Sequence, residues 1–245
     1  MGFEGVDRIL RENIERVRSR IAAAAERAGR HPADVTLVAV TKTVPAHRVR
    51  VAWELGLTNF GENRVQEAVV KIPQVLSEEV LAASGRPAPI WHMIGHLQRN
   101  KVRQVIPLFD LIHSVDSVRL AREIDKRAGQ AGKVMPVLIE VNVAGEASKY
   151  GFAPAIVAEA VRHIAELSHV KIQGLMTVAP IVTDPEAARP HFRRLRKLRD
   201  RLAEEFPNIE WRHLSMGMTD DFEVAVEEGA TLVRVGRAIF GERQE

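Results

Sequence analysis

Cysteine is absent from the chain, which removes disulfides, thiolate metal sites and cysteine nucleophiles together. Tyrosine occurs once, at Tyr150. Long apolar runs are missing too, so no segment is suited to span a bilayer. The N-terminal stretch MGFEGVDRILRENIERVRSR carries charges throughout and lacks the apolar core of a signal peptide, which makes the cytoplasm the expected location. Nor is there a strong excess of either charge. A net charge of +3, with 27% charged residues, suits anionic ligands without announcing a nucleic-acid binder.

What is present is a large apolar fraction, 46% of 245 residues, arranged in a repeating pattern. Leu10, Ile14, Val17 and Ile21 recur at helical spacing, so Val6 to Ala28 reads as an amphipathic helix, with Gly29 and Pro32 as its stop. Val35 to Val40 is a continuous apolar run rich in β-branched residues, the pattern of a strand buried on both faces. Seven further short segments follow, near Thr58–Phe60, Ile90–Ile94, Leu111–Ser114, Met135–Val143, Lys171–Met176, Trp211–Leu214 and Thr231–Val235. Between them lie helical patterns at Ala46–Leu55, Arg64–Leu76, Gln98–Ile106, Ser117–Ala131, Pro154–Leu167, Pro185–Glu205 and Asp220–Glu228. Eight alternating units predict an α/β fold, a single (β/α)8 TIM barrel with an extra N-terminal helix; an open doubly wound sheet is the alternative. Nothing resembles an interdomain linker, so residues 1–245 read as one domain, and Ser77 to Pro89 reads as a surface connection.

In such a barrel, chemistry gathers where strands end. Lys42 ends the first apolar run. Desolvation there disfavours its ammonium and leaves amine to attack a carbonyl, although an ordinary lysine snorkelling from a strand end fits the same position. Gly61-Glu62-Asn63-Arg64 after the second strand also fits a plain turn and helix cap. His92 and His96 are four apart, but the change from strand to loop between them and the lack of a nearby carboxylate speak against a metal site. Ser215-Met216-Gly217-Met218-Thr219 follows the seventh strand, and Arg234-Val235-Gly236-Arg237, at the eighth, precedes a short helix at Ala238–Phe240. Small residues before a helix let backbone N–H groups approach an anion, and the loops after strands seven and eight are a common phosphate site in this fold. Two glycine turns closing the barrel would look the same. A lysine amine facing a phosphate cup suits a phosphorylated aldehyde or sugar.

The segments LVAVTKTVPA, FGENRVQEA, WHMIGHLQRNK, VNVAGEASKYGF, GLMT, LSMGMTDDFEVAVEEGAT and VRVGRAIFG, in this order from Val35 to Gly241, resemble the pyridoxal 5′-phosphate (PLP) homeostasis proteins, also called proline synthase co-transcribed homologues. The resemblance implies a barrel similar to the N-terminal domain of alanine racemase, a fold of PLP type III without the C-terminal β domain. It implies PLP as cofactor, held by Lys42 as a Schiff base. Ser215 and Gly217 match phosphate contacts, with the backbone of Gly236 and Arg237. Arg234 matches the arginine facing the pyridine nitrogen, and Asn63, His92 and Met176 match positions lining the pocket. Arg237 departs from the Thr or Ser frequent there, which puts its side-chain contact in doubt; Thr219 in place of Ser is a milder change.

The enzymes that resemble this barrel take a tyrosine or cysteine acid/base from a second domain or a partner subunit, whereas this sequence ends at Glu245 and Tyr150 reads as a loop aromatic. The expected function is therefore PLP homeostasis: uptake, buffering and delivery of the cofactor without strong catalysis. PLP-dependent apoenzymes are the expected recipients, and a monomer is the expected state. An amino-acid racemase or lyase using the same lysine is the alternative. Arg193, Arg194, Arg196, Lys197, Arg199 and Arg201 would support nucleic-acid binding, but Phe192, Leu195, Leu198 and Leu202 make that stretch a helix with a solvated basic face.

Overall fold

A strand covered on both faces needs apolar residues at successive positions, and each of the eight apolar segments becomes one such strand. The computed structural model describes residues 3–75, 77, 82, 84–146 and 149–242, and for residues 3–6 the backbone only. Its strands are β1 (Thr36–Val40), β2 (Asn59–Glu62), β3 (Ile90–Met93), β4 (Leu111–Val115), β5 (Met135–Glu140), β6 (Val170–Met176), β7 (His213–Ser215) and β8 (Leu232–Val235). Each pairs in parallel with its sequence neighbours, and β8 returns to β1 through Thr36 opposite Leu232, so the sheet is a closed barrel rather than the open alternative. The expected end of a helix at Leu76 lies outside the described residues, as does part of Ser77–Pro89 and of the VNVAGEASKYGF segment.

Helices cover the outside: α1 (Phe3–Arg27), α2 (Ala46–Glu54), α3 (Val65–Val75), α4 (Val102–Val105), α5 (Val118–Gln130), α6 (Val157–Ala165), α7 (Arg189–Glu205), α8 (Phe222–Glu227) and α9 (Arg237–Phe240). Short 3-10 turns at Arg99–Lys101 and Pro185–Ala188 replace the expected starts of α4 and α7. The extra helix α1 buries Leu10, Ile14, Val17 and Ile21. At roughly 1.5–3 kcal/mol per side chain, that packing outweighs intrinsic helix propensity. Asn13 Nδ2 donates to Ile239 O at 2.9 Å, and Arg20 pairs with Glu223 at 2.8 Å, so the first helix is fastened to the last two.

Several strands have other bounds than their sequence pattern, with β2 running on to Glu62 and the largest departures in β5 and β7. β7 begins at His213 rather than Trp211: Arg212 N donates back to Glu210 O at 2.8 Å instead of into the ladder, and Trp211 Nε1 donates to Phe206 O at 3.2 Å. Its last residue is therefore Ser215, opposite Met176 and Leu232. β5 stops at Glu140 instead of Val143. Asn142 turns the chain by accepting from Gly145 N and donating to Glu146 O and Lys149 O.

Inside the barrel, Val38, Leu111, Leu138, Met176 and Leu232 form a small apolar cluster, separate from the larger core between strands and helices. At the C-terminal halves of the strands the buried residues turn polar: Thr41, Glu62, His92, His113, Glu140, Ser215 and Arg234. The fold thus supplies a dry floor and a polar mouth. Among the described residues no helix is long and apolar enough to cross a membrane.

Candidate functional site

Lys42 sits half-buried in the turn after β1. The residues on either side of it are held tightly. Thr41 N donates to Gly61 O at 2.9 Å, and its hydroxyl donates to Glu62 Oε1 at 2.6 Å. Lys71 Nζ, from α3, donates to Thr41 O at 2.5 Å, to Glu62 Oε1 at 2.7 Å and to Glu67 Oε1 at 2.6 Å. Glu67 Oε1 also accepts from Thr43 N at 2.6 Å, and Thr43 adopts a left-handed φ of +64°. Burial holds the Glu62 pKa above the ordinary carboxylate value, against the pull of Lys71. The sequence reading gave Thr41, Glu67 and Lys71 no role, and placed Glu62 only in the turn after the second strand. The available signal was a lysine at position 71 on the helix face that also buries Ala68, Ile72 and Val75.

Across the barrel, six side chains form one directed hydrogen-bond chain. Asn59 Nδ2 donates to Thr58 Oγ1 at 3.1 Å, which leaves Asn59 Oδ1 to accept from His92 Nε2 at 2.8 Å. His92 Nδ1 must then accept from His113 Nε2, 2.9 Å away, and His113 Nδ1 from the Ser215 hydroxyl at 2.8 Å. Ser215 Oγ in turn accepts from Arg234 Nη1 at 2.5 Å, while Arg234 Nη2 donates to Thr177 O at 2.8 Å. Both imidazoles are neutral Nε2–H tautomers. Burial lowers the His92 pKa to about 3 and puts His113 well below its ordinary value. Burial also lowers the Arg234 pKa to about 10, opposed by Asp221 and Glu140, so its guanidinium stays charged at neutral pH.

Of the glycines in the last two loops, Gly217 leaves no room for a side chain and Gly236 leaves little. A Cβ on Gly217 would lie 2.5 Å from Ala225 Cβ, and its φ is +92°. One on Gly236 would lie 3.2 Å from Val40 O, two residues before Lys42. Gly217 O accepts from Arg234 N at 3.0 Å. Lys42, Ser215, Gly217, Arg234 and Gly236 therefore share the barrel mouth, and Met176 joins them beside Ser215. His92 lies inside β3, deeper than the loop, with both nitrogens already engaged. Asn63 follows β2, and its Oδ1 is buried without a hydrogen-bond partner. Gly95 packs on the backbone of this residue, where a Cβ would sit 2.2 Å from Asn63 O. Arg237 stands apart: its side chain is exposed and paired with Asp220, so only its backbone belongs to the mouth.

Sequence reasoning also passed over Glu140. It is 7% exposed, its Oε2 has no hydrogen-bond partner, and it lines a cavity of about 160 Å³ with Asn142, Lys149, Tyr150 and Val178. Burial, with Asp116 nearby, pushes its pKa up to about 7. Tyr150 is exposed, as expected of a loop aromatic, but stacks on His96 with centroids 3.7 Å apart, and His96 pairs with Asp116 at 3.1 Å. His92 and His96 therefore point to different surroundings, and no three His, Asp or Glu among the described residues could hold a metal ion. On α7, Arg189, Arg193 and Arg196 converge on the buried Glu228, and Arg194 donates to Val143 O. Arg193, Arg194 and Arg196 of that basic stretch are thus already engaged within the fold.

Known proteins are similar to this chain over nearly its whole length. Residues 12–244 match the family model of the alanine racemase N-terminal domain. A pyridoxal phosphate homeostasis protein from Aquifex aeolicus is 47% identical over 233 residues, covering 95% of this chain and 98% of the relative. A solved structure of a protein of unknown function from Bifidobacterium adolescentis superposes with a TM-score of 0.88 at 38% identity, covering 98% of both chains. PipY of Synechococcus elongatus, solved with PLP bound, superposes at 0.80 with 34% identity, covering 95% of this chain and all of PipY.

Proposed function

The chain belongs to the family of the pyridoxal phosphate homeostasis proteins, built on the alanine racemase N-terminal domain, and from that premise we propose that it binds, buffers and delivers PLP. The observation that carries the reading is the meeting of the Lys42 turn with the two glycine loops: Gly236 packs on Val40, and Gly217 bonds the backbone of Arg234. The residues suit the cofactor. The glycine cradle keeps side chains out of the place an anion needs, and Asn63 Oδ1 is a buried acceptor still lacking a donor.

PLP, when bound, supplies an aldehyde carbon and an electron-withdrawing ring. Lys42 would hold that carbon covalently. Gly217, Gly236 and Arg237 would offer backbone N–H groups to the phosphate. Ser215 would add its hydroxyl only by giving up His113, since its single proton is already committed there. Arg234 would face the ring nitrogen as a permanent donor with no proton-accepting atom, which restrains carbanion chemistry. Asn63 and Met176 would line the pocket, and His92 would support it from below through His113. PLP-dependent apoenzymes would receive the cofactor from a monomeric carrier.

One observation favours the alternative of a racemase or lyase: Glu140 at the mouth titrates near neutral pH. The test for both readings begins with PLP addition, borohydride reduction and peptide mapping. The carrier reading expects label on Lys42, loss of label in Lys42→Ala, and no turnover of L-alanine. Label scattered over surface lysines would end it, and Lys42-dependent turnover would replace it with the enzyme.

A further inference from the structure

Lys42 has no regular secondary structure to orient it, since β1 ends at Val40 and α2 begins at Ala46. One buried ammonium takes over that task. Lys71, whose side chain is 7% exposed, binds the carbonyl of the residue before Lys42 and, through Glu67, the amide of the residue after it. Thr43 needs such a hold: its left-handed φ of +64° is unfavourable for a residue with a branched Cβ unless its surroundings impose it.

Helix packing alone does not explain Lys71. Glu67 and Lys71 are an i,i+4 pair on α3, and such a pair forms readily in solvent. Here the lysine is buried on the apolar face, where desolvating an ion pair often gains nothing over a hydrophobic residue of similar size. Its three polar partners are Thr41 O, Glu62 and Glu67, the last of which also accepts from Thr43 N, and every one belongs to the Lys42 turn or braces it. Specifying that turn is what the buried charge achieves.

We infer that Glu67 and Lys71 are positioning residues for Lys42, holding the Thr41–Thr43 turn in the form that presents the lysine amine at the barrel mouth. The inference rests on the reading of Lys42 as the cofactor lysine. Glu67 is the better residue to vary, because its side chain is 25% exposed and alanine is well tolerated in a helix. Glu67→Gln keeps an acceptor for Thr43 N–H and for Lys71; Glu67→Ala removes it.

The experiment follows two signals in each protein: the rate of PLP attachment at Lys42, mapped after borohydride reduction, and the amide hydrogen exchange of Thr43 without added cofactor. Melting temperature and circular dichroism verify the fold. Glu67→Ala is expected to slow attachment about ten- to a hundredfold and to lose protection at Thr43, whereas Glu67→Gln stays near wild type in both. Unchanged attachment in Glu67→Ala overturns the inference, and so does a loss in Glu67→Gln as large as that in Glu67→Ala. If the wild-type protein takes no label at Lys42, the carrier reading itself fails and the inference falls with it.

Discussion

Replacing Glu140 by glutamine should make the protein more stable, but only where the wild-type carboxyl is ionised. Glu140 is 7% exposed and leaves Oε2 without a partner, and its pKa rises from 4.5 to about 7, chiefly through burial and then through Asp116. A carboxyl that binds its proton more tightly in the folded state than in the unfolded one is destabilising when ionised. Between pH 4.5 and about 7 the folded protein holds a proton that the unfolded chain has released, so stability falls as pH rises through that window. At about 1.4 kcal/mol per pH unit, the ionised group costs roughly 3 kcal/mol above neutrality and nothing at low pH. Glutamine keeps the shape without the charge. Urea denaturation of both proteins across the acid to mildly alkaline range should therefore show Glu140→Gln ahead by about 3 kcal/mol on the alkaline side, the gap closing toward pH 4.5. A gap that does not change with pH, or a wild-type protein that is the more stable one at alkaline pH, would refute the reasoning.

Gly217→Ala should lose about 2–3 kcal/mol in the same assay, because the new Cβ meets Ala225 and Phe222 at a positive φ; a near-neutral result would mean the loop relaxes freely. Imidazole nitrogen NMR should show His92 and His113 as Nε2–H tautomers with no titration between about pH 5 and 8, and protonation of either ring in that range would break the hydrogen-bond chain as assigned. Arg237→Ala removes an exposed pair with Asp220 and should change stability by no more than about 1 kcal/mol. It should also leave PLP labelling of Lys42 intact, and a large loss of labelling would show that the guanidinium, not the backbone, meets the phosphate.

The barrel was legible because its strands are written locally. Val35–Val40 is apolar at successive positions, as a strand covered on both faces must be, and Leu10, Ile14, Val17 and Ile21 mark the buried stripe of α1. The site was legible where small residues are required by close approach, as at Gly217 and Gly236, and where a lysine ends an apolar run. The start of β7 was not, because whether Arg212 joins the ladder depends on Glu210 O capturing its backbone N–H.

By itself, then, the sequence determined the element order and the residue types at the strand ends, while closure of the eight-stranded sheet was settled by the pairing of β8 with β1. Only the tertiary structure decided what those residues do to one another. Ser215 meets His113 from 102 positions away, Lys71 reaches back 30 positions to Thr41, and Glu140 finds itself buried beside Asp116 without a counter-charge in hydrogen-bond contact. Local patterns report which face of an element is buried. The tautomer of a histidine, the pKa of a carboxyl and the hold on a turn depend on the field and hydrogen bonds of distant neighbours, which come together only when the barrel closes.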